Sequence, residues 1–250
     1  MREPLRPAVI APWRPAALAL LAALAGCGRD PLACGGEAMP LAEARRLAAG
    51  GEARGPVTVE GVVAADFAGG LGGFFLAAPE GEPEAALFVA AAIPGLAPGT
   101  RLRLSAEPAR LPPEMHGRPA LVRVSGHRAC GTARPPVTEL KAPPEDWEAL
   151  EGRPVRIASP LLLAGHGELA ARGELIVAFG GERPFQPTEL FPPGEPAQRF
   201  AREQRRRLLV LDDGREAPPA GGLPWFWTEP PARLRIGGRL DRRRRRGGPG

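Results

Sequence analysis

Three cysteines (Cys27, Cys34, Cys130), three histidines (His116, His127, His166) and one late acidic pair (Asp212-Asp213) are the groups in this 250-residue chain best suited to chemistry. Their spacing does not favour catalysis. The histidines are scattered and no cysteines stand at paired zinc-ligand spacing, so no metal site is expected. Asp212-Asp213 runs into Gly214, which reads more simply as a turn after a strand than as a metal-binding pair. No nucleophile elbow, phosphate-cradling Walker loop or dinucleotide fingerprint is present, and the glycine cluster Gly69–Gly73 is not followed by a helical pattern. No catalytic residue and no cofactor are expected. Binding chemistry is better represented. Aromatics that stack bases and cations that follow a phosphate backbone are the parts of a single-strand site. Phe67, Phe74, Phe75 and Phe88 supply the first; Arg101, Arg103, Arg118 and Arg123 supply the second. Adjacent strand residues point to opposite faces, so one of Phe74 and Phe75 should enter a core and the other is a candidate platform. Arg205-Arg206-Arg207 is a further candidate phosphate-contacting set, or else an exposed edge leading into a strand. Trp225-Phe226-Trp227, framed by prolines, is a contact surface if exposed and a barrel cap if buried.

The N-terminus indicates where such a site would work. Arg2, Arg6 and Arg14 outnumber Glu3, and an apolar run from Ala16 to Ala23 leads into Leu24-Ala25-Gly26-Cys27. A basic start, about ten apolar residues and a small-residue break describe a secretory signal; a membrane span needs about twenty. Leu-Ala-Gly-Cys resembles the lipobox of bacterial lipoproteins, which implies removal of residues 1–26 and a lipid on Cys27. An ordinary cleaved signal with a free cysteine is the alternative. Outside the cytoplasm the remaining pair, Cys34 and Cys130, is a disulfide candidate, with reduced thiols as the alternative.

Composition adds constraints. The chain holds 33 Gly and 32 Pro, with no Tyr, no Asn and a single Lys, Lys141. Such usage reflects GC-rich codons as much as disorder. The sequence pI is about 10.2. That basicity is concentrated at the ends: residues 1–26 carry +2, Arg242–Arg246 carry +5, and residues 27–241 come to −2. The high pI is therefore weak evidence for a nucleic-acid partner.

The elements that must position these groups are mostly strands. After a spacer at 27–39, residues 40–48 have helix formers with apolar Leu41, Ala44, Leu47 and Ala48 at helical spacing, stopped by Gly50-Gly51. Five short strands are then expected, around Val57–Val63, Phe74–Ala78, Ala86–Val89, Leu102–Ser105 and Leu121–Val124. An all-β, OB-like five-stranded barrel over residues 40–141 accommodates them, because closure removes exposed edges. Residues 142–241 form a second β-rich region, with strands expected at Val155–Ala158, Leu161–Leu163, Glu174–Phe179, Arg207–Leu211 and Leu234–Ile236. Residues 184–206 are too irregular for a central strand. The second region is OB-like but looks incomplete, and residues 242–250 form a basic Arg/Gly tail.

Val59-Glu60-Gly61-Val62-Val63-Ala64-Ala65-Asp66-Phe67, Gly72-Gly73-Phe74-Phe75-Leu76, Gln186-Pro187-Thr188-Glu189, Pro193-Gly194 and Leu209–Gly214 occur in this order. Together they resemble the non-catalytic N-terminal half of ExeM/NucH-type secreted bacterial endonucleases. The resemblance covers roughly residues 55–240. It implies a role in binding or presenting nucleic acid, with the chemistry in a C-terminal endonuclease/exonuclease/phosphatase domain that this chain lacks. The expected function is a nucleic-acid-binding or docking module at the cell envelope, held to a membrane by the lipid on Cys27. Its partners would be single-stranded or duplex nucleic acid and a separately encoded nuclease domain. A truncated or frameshifted endonuclease precursor, in which the arginine run is out-of-frame sequence, is one alternative; a structural lipoprotein contacting other proteins is another.

Overall fold

A computed structural model describes residues 30–51, 55–81, 84–215 and 235–240. Cys27, the signal segment, Trp225-Phe226-Trp227 and the arginine tail lie outside the described residues. Helix α1 (Leu41–Gly50) buries Leu41, Ala44 and Ala48 on one face and ends at Gly51 with φ 66°, the left-handed cap that glycine adopts without a Cβ penalty. Five strands follow: β1 (Val57–Phe67), β2 (Gly73–Ala77), β3 (Ala86–Val89), β4 (Thr100–Arg110) and β5 (Pro119–Thr132). β1 pairs antiparallel with β2 and β4, β2 with β3, and β4 with β5. A short parallel pairing, Phe88 with Ala120 and Val89 with Leu121, joins β3 to β5 and closes the ring β1-β2-β3-β5-β4. Register shifts place extra residues in β1 and β5, bulges of the kind that bend strands where a small barrel turns.

Alternation along each strand sends Val59, Val63, Phe74, Leu76, Leu87, Val89, Leu102, Leu104 and Leu121 into one core, with Leu41 and Ala44 of α1 packed on it. Gly61 makes that docking possible. A Cβ there would lie 2.6 Å from Leu76 Cγ and 2.8 Å from Leu41 Cδ1, closer than side chains pack.

The segment expected to be a spacer is instead fastened to the barrel from Pro31 onward. Cys34 and Cys130 form a disulfide with Cα atoms 5.6 Å apart. Arg103 donates to the Pro31 and Gly36 carbonyls, each at 2.7 Å, and to the Glu37 carbonyl. The Met39 N–H donates to Thr58 O at 2.8 Å. Carbonyls of an irregular segment need donors when buried, and one guanidinium supplies three of them.

A separate two-stranded pair spans residue 142. Strand β6 (Thr138–Leu140) pairs in parallel with β7 (Val155–Ile157). Then come β8 (Leu161–Gly165), α2 (Leu169–Arg172), β9 (Leu175–Phe179), α3 (Pro187–Leu190), α4 (Glu195–Arg207), β10 (Leu208–Leu211) and β11 (Arg239–Leu240). Among the described residues they form an open antiparallel sheet in the order β10-β9-β8-β11. Two expectations need correction. Residues 195–207 are a helix, so Arg205, Arg206 and Arg207 form its last turn and not a strand edge. Pro196 stands in the first turn of this helix, where the missing N–H costs nothing, and Glu195 pairs one turn on with Arg199 at 2.6 Å. Ile236, expected in a strand, lies in a turn, and pairing with β8 starts at Arg239. Among the described residues no helix is long and apolar enough to cross a membrane.

Candidate nucleic-acid interface

Several residues expected to meet a ligand are structural. Phe74 is fully buried in the core, and Phe75, 8% exposed, packs with Phe88, Leu111 and Ala120. β2 lies between β1 and β3, and its second face is covered by barrel residues together with Gly152. Gly152, at φ 73°, approaches so closely that a Cβ would sit 2.3 Å from Phe75 Cδ1. Neither phenylalanine is an exposed platform. Arg103 is 1% exposed and pairs with Glu60 at 3.0 Å in addition to its three carbonyls, so it is a latch and not a phosphate contact. Arg101 pairs with the same Glu60 from the solvent side. Arg123 is exposed, and its Nε donates to Glu107 at 2.9 Å; that hydrogen bond, with the carboxylate's charge, holds its pKa above the ordinary arginine value. Arg207 donates to Phe179 O at 3.0 and 3.2 Å and to Glu182 O at 3.1 Å, tying α4 to the turn after β9. Arg205 and Arg206 remain exposed on α4.

The structure brings a different set together at one end of the barrel. The connection from β1 to β2 supplies Gly70 and Leu71. The connection from β4 to β5 supplies Met115, His116 and Arg118. With Phe88 they line a hollow of about 210 Å³. His116 and Arg118 are shared with a second hollow of about 590 Å³, which continues over Arg45, Arg110 and Trp147. The two hollows form one trough.

Arg118 lies at its centre, its guanidinium carbon 5.4 Å from the Phe88 ring centroid and 5.9 Å from that of Phe75, within reach of the ring quadrupole. Its Nε is 3.6 Å from Glu151. Arg45 donates to Ala86 O at 2.7 Å and lies 3.4 Å from the same Glu151. Arg110 donates to Ala49 O at 3.2 Å. Trp147 is 37% exposed and meets Phe179 at 6.3 Å between centroids, so one side of the indole is braced by the second sheet. Glu114, Glu148 and Glu151 balance the three arginines. The trough is therefore nearly neutral and suited to stacking more than to long-range attraction.

Of these residues the sequence pointed to Phe88 and Arg118 only. Arg45, Arg110, His116 and Trp147 come from separate elements, and no local pattern marks them. The sole signal was the turn-rich Pro112-Pro113 … His116-Gly117 stretch, where His116 adopts φ 63°. Among the described residues no three His, Cys, Asp or Glu side chains converge as metal ligands. Asp212 and Asp213 accept from the Gly214 and Arg215 backbone N–H groups, each at 3.1 Å, which is turn geometry. In comparisons with family models, with curated proteins and with solved structures, nothing matches this chain.

Proposed function

We propose that this chain is a non-catalytic envelope lipoprotein, anchored through a lipid on Cys27, whose OB-type barrel binds single-stranded nucleic acid in the trough. The OB assignment is supported by the five strands, the ring order β1-β2-β3-β5-β4 and the parallel β3–β5 pairing. In such barrels the β2–β3 face and the β1–β2 and β4–β5 connections form the oligonucleotide site. The observation that carries the reading is the trough itself: both of those connections line it, beside an arginine stacked across two phenylalanines and an exposed tryptophan. Bases stack on Trp147 and on the Arg118 guanidinium plane, and Arg110 meets phosphate. The motif resemblance to secreted endonucleases points the same way, as does the run ending in Cys27 for the envelope.

Fluorescence anisotropy of a labelled 20-nucleotide single strand, titrated with the full chain, tests the reading. Because the trough is nearly charge-balanced, one to three phosphate contacts are expected, a log K against log salt slope of about −0.7 to −2. Quenching of tryptophan emission should accompany binding and be lost with Trp147→Leu. No binding at low salt, or binding without change on Trp147→Leu and Arg118→Ala, refutes the assignment.

A further inference from the structure

We propose that a groove on the second sheet is a separate contact site for one unpaired nucleotide of the same strand, an inference that rests on the nucleic-acid reading of the barrel. The groove, about 410 Å³, lies between β9, the turn after it and α4, within the roughly 300–1,000 Å³ range of small-ligand sites. Three kinds of group converge on it.

Phe185 is 42% exposed, with the Arg183 guanidinium 5.7 Å from its ring centroid. An exposed ring beside a cation is the arrangement that stacks a base. Ile176 and Ile236, also exposed, extend the apolar wall. The second group is polar. Gln204 lines the groove, and its Oε1 is buried with no hydrogen-bond partner among the described residues. Buried acceptors are seldom left unpaired; this one is screened from solvent, so Gln204 must turn toward the groove before the N–H of a base can donate to it. The third is charge. Arg183 and Arg205 face the single carboxylate Glu189 in the lining, and Arg206 follows Arg205 in the last turn of α4. Unlike the barrel trough, this groove has surplus positive charge, which matches a phosphodiester and does not favour a neutral or basic peptide. The two sites are physically joined: Arg207 holds α4 to the Phe179 carbonyl, and the Phe179 ring packs on Trp147 of the trough.

The test uses the full chain and the same labelled 20-nucleotide strand at several salt concentrations. Phe185→Ala should weaken binding between about fivefold and about 150-fold, the loss of one stacked base, while Phe185→Trp retains it. Arg205→Gln should lower the magnitude of the salt slope by about 0.7, one phosphate contact, a change that a purely structural residue would not produce. Wild-type affinity and slope in these variants, with loss of binding in Arg118→Ala, overturns the groove and leaves the barrel reading standing. Equal loss in Phe185→Ala and Phe185→Trp, accompanied by a lowered melting temperature, assigns the ring a packing role and also overturns it. Absence of binding by the unaltered chain removes both readings.

Discussion

Replacing Arg103 by Met keeps the apolar stem and removes the guanidinium that closes the N-terminal segment onto the barrel. Four interactions go: the ion pair to Glu60 at 3.0 Å and the hydrogen bonds to the Pro31, Gly36 and Glu37 carbonyls. Each hydrogen bond to a charged group is worth about 1.5–3 kcal/mol, and four taken at face value would approach the whole stability of a domain, about 5–15 kcal/mol. Two features reduce the sum. The three carbonyls belong to a segment that regains water once released, and Glu60 keeps Arg101 on its outer side. Breaking a buried pair from one side costs about 3–5 kcal/mol, and the retained Arg101 argues for the lower end. The expected loss is about 3 kcal/mol, read from urea unfolding of the oxidised protein by circular dichroism. Adding Glu60→Gln should recover little of it, since the carboxylate keeps Arg101 as its partner. The salt slope of strand binding should not change. A loss below about 1 kcal/mol, or a reduced slope with an unchanged unfolding midpoint, would refute the latch and return Arg103 to the ligand-contacting set.

Other outcomes follow from the same geometry. The Cys34→Ala/Cys130→Ala variant releases a loop of sequence separation 96, so urea unfolding should show a loss of about 4.7 kcal/mol in the chain-entropy model; a change under about 1 kcal/mol would contradict it. Gly152→Ala places a methyl against the Phe75 ring at a positive φ and should destabilise by about 1–3 kcal/mol, with thermal melting as the check and Phe75→Leu as a partial rescue. Cys27→Ser should abolish flotation of the protein with membranes if the lipid is its anchor; unchanged flotation refutes lipidation.

The barrel strands were legible because each contains a short apolar run near a glycine or proline, although β1, β4 and β5 extend well beyond the runs that announced them. Burial on the outer face was not legible. Leu102-Arg103-Leu104 alternates like a strand with Arg103 toward water, yet the residues that cover it lie about 70 positions away. Phe75 misled in the same way, because its cover comes from Phe88, Leu111 and Ala120 of the barrel and from Gly152, all distant in sequence. Helix α4 was hidden by composition: five arginines and two prolines in 193–207 mask the apolar period Ala197, Phe200, Ala201. The trough residues come from α1, the β1–β2 connection, β3, the end of β4, the β4–β5 connection and the segment before β7, so only the closed fold brings them together.

The sulfur bridge also decides how the molecule carries tension. Pulled between its N-terminal end and the second region, as a protein anchored at Cys27 and gripping a strand would be, the chain passes force from Cys34 directly to Cys130. α1, β1–β4 and most of β5 lie inside the bypassed loop. The oxidised protein can therefore yield in the second region while about 330 Å of barrel contour remains unextended, and reduction places the whole barrel under load.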